Sequence, residues 1–433
     1  MVVSALPAFR SWSGVESAVP SGWVRPQTEA DVRSAVRAAR YAGRRLRVVG
    51  AGHSFSSAAL PDDRAMSLDE VAGVVELGAD HVRVRAGTRL RDLSAALLAR
   101  GLTLPVVGSI QAQSVAGAIA TGTHGSSLVH GNLATLVTGM RLVDGRGEVV
   151  ELAEEDPRLA GARVHLGALG VVTEVTLRVV PAFRLRQTIE HVDVHGLGRR
   201  LEDVARSAEW VKAWWLPQAS TAQIVRYERT TDAASTRPSA AQLRALDERV
   251  LHRWVFPAMV RLQHRRPDVV PTLNERHSGF YLGPSGLVGQ SSLMLNTPMP
   301  VVHRETEAAV PLAEAGELVD RVVRRVQRDR ISANFPLEVR FVRGDDGWLS
   351  PAEGRDTCQV GAYATDGPDR ARYFRAFWEE VGTARPHWGK ELHHAAEDLA
   401  PLYPRWQEFL SLRKELDPDG VFDGPFLRQV LGA

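Results

Sequence analysis

Cysteine is nearly absent from this chain. Its 433 residues include one, Cys358, which excludes an intrachain disulfide and any zinc site built on cysteines. Lysine is almost as scarce: of 53 basic residues only Lys212, Lys390 and Lys414 are lysines, and the others are arginines. A GC-rich coding bias explains such a skew. It also makes a lysine retained where arginine would serve more informative, since the two differ chemically. Net charge is small: 53 basic and 51 acidic residues leave +2, and no basic block argues for nucleic acid. No apolar run approaches about 18 residues, so no membrane span is expected. Residues 1–20 lack the basic and apolar regions of a secretory leader, and the expected location is the cytoplasm. Internal repeats and low-complexity segments are missing too.

What is present is the composition of a folded protein, 44% apolar and 24% charged, which excludes disordered, collagen-like and coiled-coil chains. At roughly 100–200 residues per domain, the length suggests two or three domains. Residues 26–49 read as a helix and then a strand. Thr28 caps the helix, Val32, Val36 and Ala39 share one face, and Gly43 ends it. Residues 82–84 read as a strand. Residues 89–100 read as a helix with Leu90, Leu93 and Leu97 on one face, stopped by Gly101. Residues 138–152 predict a hairpin turning at Asp144-Gly145, and 164–180 are β-rich, broken by Gly167 and Gly170. Beyond residue 180 the texture changes. Trp210, Trp214 and Trp215 appear, with an arginine-rich stretch from Arg244 to Arg266 that reads as a helix with a solvated face. Residues 310–326 have helical spacing and 337–342 alternate as a strand. Trp406, Phe409 and Leu412 recur at helical spacing before a breaker at 417–420. The expected class is α+β: a first domain over 1–180, a second over 181–385, and a C-terminal segment over 386–433.

Five segments have the residue types for chemistry. The loop Gly50-Ala51-Gly52-His53-Ser54-Phe55-Ser56 follows a strand directly, and its backbone N–H groups suit an anion such as a pyrophosphate. A surface turn is the plain alternative. The loop is neither a Rossmann pattern nor a nucleophile elbow. The run from Ser114 through Gly117, Ala118, Thr121, Gly122, Thr123, His124 and Gly125 to Ser127, preceded by Gly108-Ser109, is dominated by small residues. It reads as a flexible loop or as an ordered surface against something flat. Gly167 to Val175 reads as a strand with a bend. Glu338 and Arg340, two apart on a strand, point to one face, either as a structural ion pair or as a pair orienting a substrate hydroxyl. Around His387-Trp388-Gly389-Lys390 a cation sits in a loop, where it would stabilise developing negative charge if buried. The histidines at 387, 393 and 394 make no metal-binding pattern, and no metal is expected.

In order and spacing these segments resemble the aldonolactone oxidase and alditol oxidase branch of the FAD-linked oxidases with the vanillyl-alcohol-oxidase fold, over nearly the whole length. The residues responsible are 50–56, 114–127, Leu166 to Val172, Leu337 to Arg340, Gly354 to Cys358, and 387–390. The resemblance implies a two-domain, PCMH-type FAD-binding fold with an antiparallel-sheet substrate (cap) domain. It implies that His53 bonds covalently to the flavin, that the 50–56 backbone holds the pyrophosphate, and that 114–127, with Gly170 and Val172, forms the other wall. Ser109 resembles the serine beside the isoalloxazine and Gly108 the oxygen gate. Glu338 and Arg340 resemble the pair that activates the reacting hydroxyl, and Lys390, next to His387, the lysine near flavin N1. The implied activity is oxidation of an alcohol carbon of a sugar lactone or alditol, with dioxygen reduced to hydrogen peroxide.

Two departures stand out. The acidic and aromatic pair expected near Met299-Pro300 is missing, and Tyr363 stands where a histidine is usual. They open the alternative of a tailoring oxidase acting on a natural-product hydroxyl. A flavin-binding protein without net redox activity, a nicotinamide-dependent reductase and a hydrolase are the remaining readings, in falling order. Partners other than a small alcohol or lactone and dioxygen are not indicated, and oligomeric state is not legible.

Overall fold

The structure is a computed structural model that describes residues 7–235, 256–279, 285–297 and 301–432. Met299, Pro300 and the arginine-rich stretch up to residue 255 lie outside the described residues. The rest of that stretch forms the helix Phe256–Arg265.

Two larger sheets dominate the first 180 residues, beside two-stranded pairings of Phe9–Arg10 with Ser17–Ala18 and of Leu102–Thr103 with Val180–Pro181. Gly22–Val24, Arg64–Ser67 and Leu46–Val49 make a three-stranded parallel sheet with 64–67 in the middle. A five-stranded antiparallel sheet runs in the order Val149–Leu152, Val137–Val143, Val171–Arg178, His81–Arg85, Val74–Leu77. The helix Glu29–Tyr41 starts at a capping box, in which Thr28 accepts from the Asp31 N–H and the Asp31 carboxylate accepts from the Thr28 N–H at 2.9 Å. Its buried face is Val32, Val36 and Ala39. Leu90, Leu93 and Leu97 do the same for Leu90–Leu98. The small-residue run read as a loop or a binding surface contains a helix, Val115–Ala120. Val115, Ala118 and Ile119 face the core and fix it.

An eight-stranded sheet follows, in the order Val288–Gln290, Arg184–Asp193, Thr221–Thr230, Trp210–Trp215, Leu337–Val342, Thr357–Ala364, Arg304–Pro311, Arg385–Pro386, with every neighbouring pair antiparallel. Side chains alternate across a strand. Leu337, Val339 and Phe341 therefore join one core with helices Leu197–Arg206, Leu312–Arg328 and Arg370–Val381, while Glu338 and Arg340 face the other way. That second face is buried as well, because the first sheets lie over it. Ser126 accepts from the Phe341 N–H at 3.0 Å, and the Ser127 N–H donates to the Phe341 carbonyl at 2.6 Å.

The C-terminal stretch packs with the first sheets. Trp388, Trp406, Phe409, Phe422 and Leu427 share a core with Val32, Leu93 and Val175. The Leu46 N–H donates to the Val421 carbonyl at 2.8 Å. No helix among the described residues is long and apolar enough to cross a membrane.

Candidate active site

The strand Leu46–Val49 delivers the glycine loop to the rim of a cleft of about 890 Å³. Gly50, Ala51, Gly52, His53 and Ser54 line one side, and Ser114, Gly117, Thr121, Gly170 and Val172 the other. Glycine leaves room for the Ser114 side chain at two of these positions. A Cβ on Gly50 would lie 2.6 Å from the Ser114 hydroxyl, and one on Gly117 would lie 2.9 Å from the same oxygen. Gly52 has φ +68°, which side chains disfavour. His53 stacks on Trp12 with centroids 5.7 Å apart, and its buried Nδ1 has no hydrogen-bond partner. Burial and then the Arg89 guanidinium lower its pKa, which favours neutral imidazole. Bare backbone on both walls and the unpartnered ring nitrogen of His53 fit a flavin cofactor such as FAD.

Other residues expected to hold the cofactor do not line this cleft. Ala118 is in the core. Phe55 is buried against Trp12 and His303, and the Ser56 hydroxyl donates to the Trp388 carbonyl at 2.8 Å. Gly122 turns the chain after the short helix with φ +69°. Thr123 accepts from Gln113 at 3.1 Å. Gly125 is a packing glycine whose Cβ would lie 2.8 Å from the Val107 carbonyl. His387 is buried, with its ring 5.3 Å from that of His124. Gly108 faces Thr123, whose methyl a Cβ would approach to 2.8 Å. Arg47, also on the cleft, carried no motif. It is buried on the delivering strand and donates to the carbonyls of Ala58 (2.7 Å) and Leu166 (2.8 Å).

The inner face of the large sheet is a polar cluster. Register puts Lys212 opposite Arg340, Trp214 opposite Glu338, Gly361 beside both Glu338 and Glu307, and Glu305 opposite Tyr363. The carboxylate of Glu338 is 1% exposed and almost fully engaged. Oε1 accepts from Trp214 Nε1 at 2.6 Å and lies 3.6 Å from Lys212 Nζ. Oε2 accepts from the Tyr363 hydroxyl at 2.6 Å and pairs with Arg340. Burial alone would raise its pKa, but Arg340 and then Lys212 outweigh it and hold the group at about 2. Arg340 also donates to the Ser109 hydroxyl at 2.8 Å, which joins the predicted pair to the predicted serine.

Lys390 closes the cluster from the C-terminal stretch. Its loop docks on the glycine loop, with the Phe55 N–H donating to the Gly389 carbonyl at 2.8 Å and Trp388 Nε1 to the Leu349 carbonyl at 2.7 Å. The ammonium pairs with Glu305 and lies 3.9 Å from Glu307. Burial lowers its pKa, while the Glu305 and Glu307 carboxylates favour the charged form. His303 contacts Glu305 at 2.7 Å and His124 contacts Glu307 at 2.6 Å.

One expectation needs correcting. The substrate-domain strand begins at Arg304, beyond Met299-Pro300, and it bears two buried acids, Glu305 and Glu307. The polar face read as missing is therefore supplied a few residues later. The signal was the alternation Glu-Thr-Glu at 305–307. Tyr363, opposite Glu305 on the neighbouring strand, adds a phenol to the same face. The absence of a side chain at Gly361 makes room for its phenol, since a Cβ there would lie 2.8 Å from the ring.

The D-arabinono-1,4-lactone oxidase family profile matches residues 175–430, more than half the chain. The chain belongs to that family. A second profile, FAD binding domain, matches residues 20–153 of this lactone oxidase family member. L-gulono-1,4-lactone dehydrogenase of Mycobacterium tuberculosis is 33% identical over 98% of this chain and 99% of the relative. Alditol oxidase of a Streptomyces species is 34% identical over 88% of this chain and 89% of the relative. Among solved structures, cholesterol oxidase from B. sterolicum matches with a TM-score of 0.84 at 17% identity, over 98% of this chain and 96% of that one. The fold is thus the two-domain FAD-binding fold that the resemblance implied, and this family member is an FAD-dependent oxidoreductase acting on an alcohol carbon.

Proposed function

We propose that the protein oxidises an alcohol carbon of an aldono-1,4-lactone or alditol, with FAD bonded through His53 and dioxygen as final acceptor. Residues 1–180 hold the cofactor, 181–385 present the substrate-binding face, and 386–433 close the site through Lys390. One observation supports this reading above the others. Glu338, Arg340, Ser109 and Lys390 converge on one buried polar face that adjoins the glycine-loop cleft.

FAD, when bound, supplies the hydride acceptor and returns the electrons to oxygen. The chain's own residues do the rest. Arg340 and Ser109 orient the reacting hydroxyl, which fixes the carbon it is attached to. Glu338, held by three donors, keeps Arg340 in place. Lys390, placed over the rings of Phe55 and Tyr363, offers a positive charge where negative charge develops. Glu305 and Glu307 provide acceptors for further hydroxyls, which favours a sugar-derived substrate over an apolar one.

Two measurements test this. Anaerobic addition of L-gulono-1,4-lactone or an alditol should bleach the flavin; bleaching by a non-sugar secondary alcohol alone would move the substrate to the tailoring class. The intact mass under denaturing conditions should exceed the chain by one FAD, and His53→Ala should lose that increment while still binding FAD. Retention of the increment in His53→Ala would place the link elsewhere.

Gly108→Ala should slow reoxidation by oxygen more than reduction by substrate in stopped-flow experiments. The added methyl must push Thr123 aside, since the two would stand 2.8 Å apart. The reverse pattern would remove Gly108 from the path of oxygen.

A further inference from the structure

The conversion of an alcohol to a carbonyl releases a proton as well as a hydride, and the residues first assigned to the hydroxyl do not provide a base for it. Arg340 is a guanidinium whose pKa the Glu338 carboxylate raises further, against the effect of burial. Glu338 has both oxygens occupied by strong donors, Trp214 and Tyr363 at 2.6 Å each, with Arg340 besides. An anion held at about 2 is a weak proton acceptor near neutrality.

A small chamber of about 330 Å³ adjoins this pair. Ser109, Arg340, Lys212 and Tyr227 line it, with Val107 and Leu295 among its apolar walls. Lys212 is 5% exposed. It sits on the strand Trp210–Trp215, in register with Arg340 and on the same face. Nζ donates to the Thr297 hydroxyl at 3.0 Å, stands over the Trp214 ring at 4.8 Å, and is 3.6 Å from Glu338 Oε1. In a chain that writes nearly every cation as arginine, this buried position keeps a lysine, the side chain that can exist as a neutral amine.

We propose that Lys212 accepts the substrate's hydroxyl proton, with Glu338 acting as a fixed counter-ion. This rests on the proposed alcohol oxidation. The O–H bond breaks and an N–H bond forms on Nζ. The O–H electron pair becomes the second C–O bond, and the carbon's hydrogen leaves with its pair to the flavin as hydride acceptor. The ammonium so formed gains from Glu338, 3.6 Å away, as the proton arrives.

The groups facing Nζ set its titration. Glu338 and Arg340 come from the 337–342 strand, Tyr227 from 221–230, and Thr297 from 285–297. Ser109 and Ser126 come from the first-domain loops and do not titrate. Tyr227 is buried, which raises its pKa and keeps it neutral. Burial lowers the Lys212 pKa, Glu338 partly restores it, and the balance is about 8. The base must be neutral, so activity should rise with pH through that value.

The test uses the holoenzyme, labelled with ¹³C-lysine. Three lysines give three resolvable side-chain signals, and the Lys212→Arg variant assigns one of them. We expect that signal to titrate near 8; a signal that stays charged to pH 10 overturns the inference with no substrate involved. With L-gulono-1,4-lactone, Lys212→Arg should slow anaerobic flavin bleaching by about 100-fold, leave KM within a few-fold and abolish the rise with pH. Full activity with an unchanged pH profile in Lys212→Arg would assign Lys212 a purely structural charge. Failure of every lactone and alditol to bleach wild-type flavin, while Lys212 titrates as expected, would overturn the proposed function instead.

Discussion

Arg340→Met should lower kcat/KM by about 10³-fold and cost about 3–5 kcal/mol of stability, because it removes a donor to substrate and strands a buried anion. Glu338 is 1% exposed and cannot regain water. Trp214, Tyr363 and Lys212 would remain, yet Arg340 is the largest influence holding its pKa down against burial. The two losses are separable. In the double variant Glu338→Gln/Arg340→Met the stranded charge is gone, so denaturant stability should recover substantially while kcat/KM stays low. Equal stability of the single and double variants would mean that Glu338 is neutralised some other way. The measurements are urea unfolding of the holoenzyme and steady-state turnover.

Lys390→Met should slow flavin reduction by about 10²–10³-fold, by removing the cation proposed to stabilise the reduced flavin. The site it leaves is acidic: Glu305 loses its ion-pair partner, and Glu307 is next to it. The carboxylate that has lost its partner opposes the negative charge of reduced flavin, so the flavin's midpoint potential should fall along with the rate. A merely structural lysine would change stability without moving the potential. Unchanged reduction kinetics would take Lys390 out of the mechanism. Lys390→Arg should restore more of the potential than of the rate, since it returns the charge on a different head group.

Local features of the chain were legible wherever one segment contained the whole signal. The helix at 29–41 needed only Thr28, Asp31 and a spaced apolar face. The hairpin near Asp144-Gly145 needed only its turn and alternation. Glu338 and Arg340 share a face because residues two apart on a strand must do so. The glycine loop was legible as a backbone meant to approach something closely, and Gly50 and Gly117 turn out to flank one hydroxyl, that of Ser114. The helix 115–120 was less legible, since small residues alone do not distinguish a loop from a short helix packed by three side chains.

The strand order of the large sheet brings together residues far apart in sequence. Lys212 meets Arg340 and Glu305 meets Tyr363 through cross-strand register, and no local pattern encodes neighbours so far apart in the chain. The same is true of Lys390, which reaches Glu305 because the 387–390 turn docks on the glycine loop. The sequence by itself determined the kinds of chemical group, their spacing within each segment and the family they belong to. The tertiary structure alone decided which charges neutralise one another. Identity and periodicity are local properties of a chain, whereas desolvation and Coulomb interaction depend on what folding brings within a few ångströms.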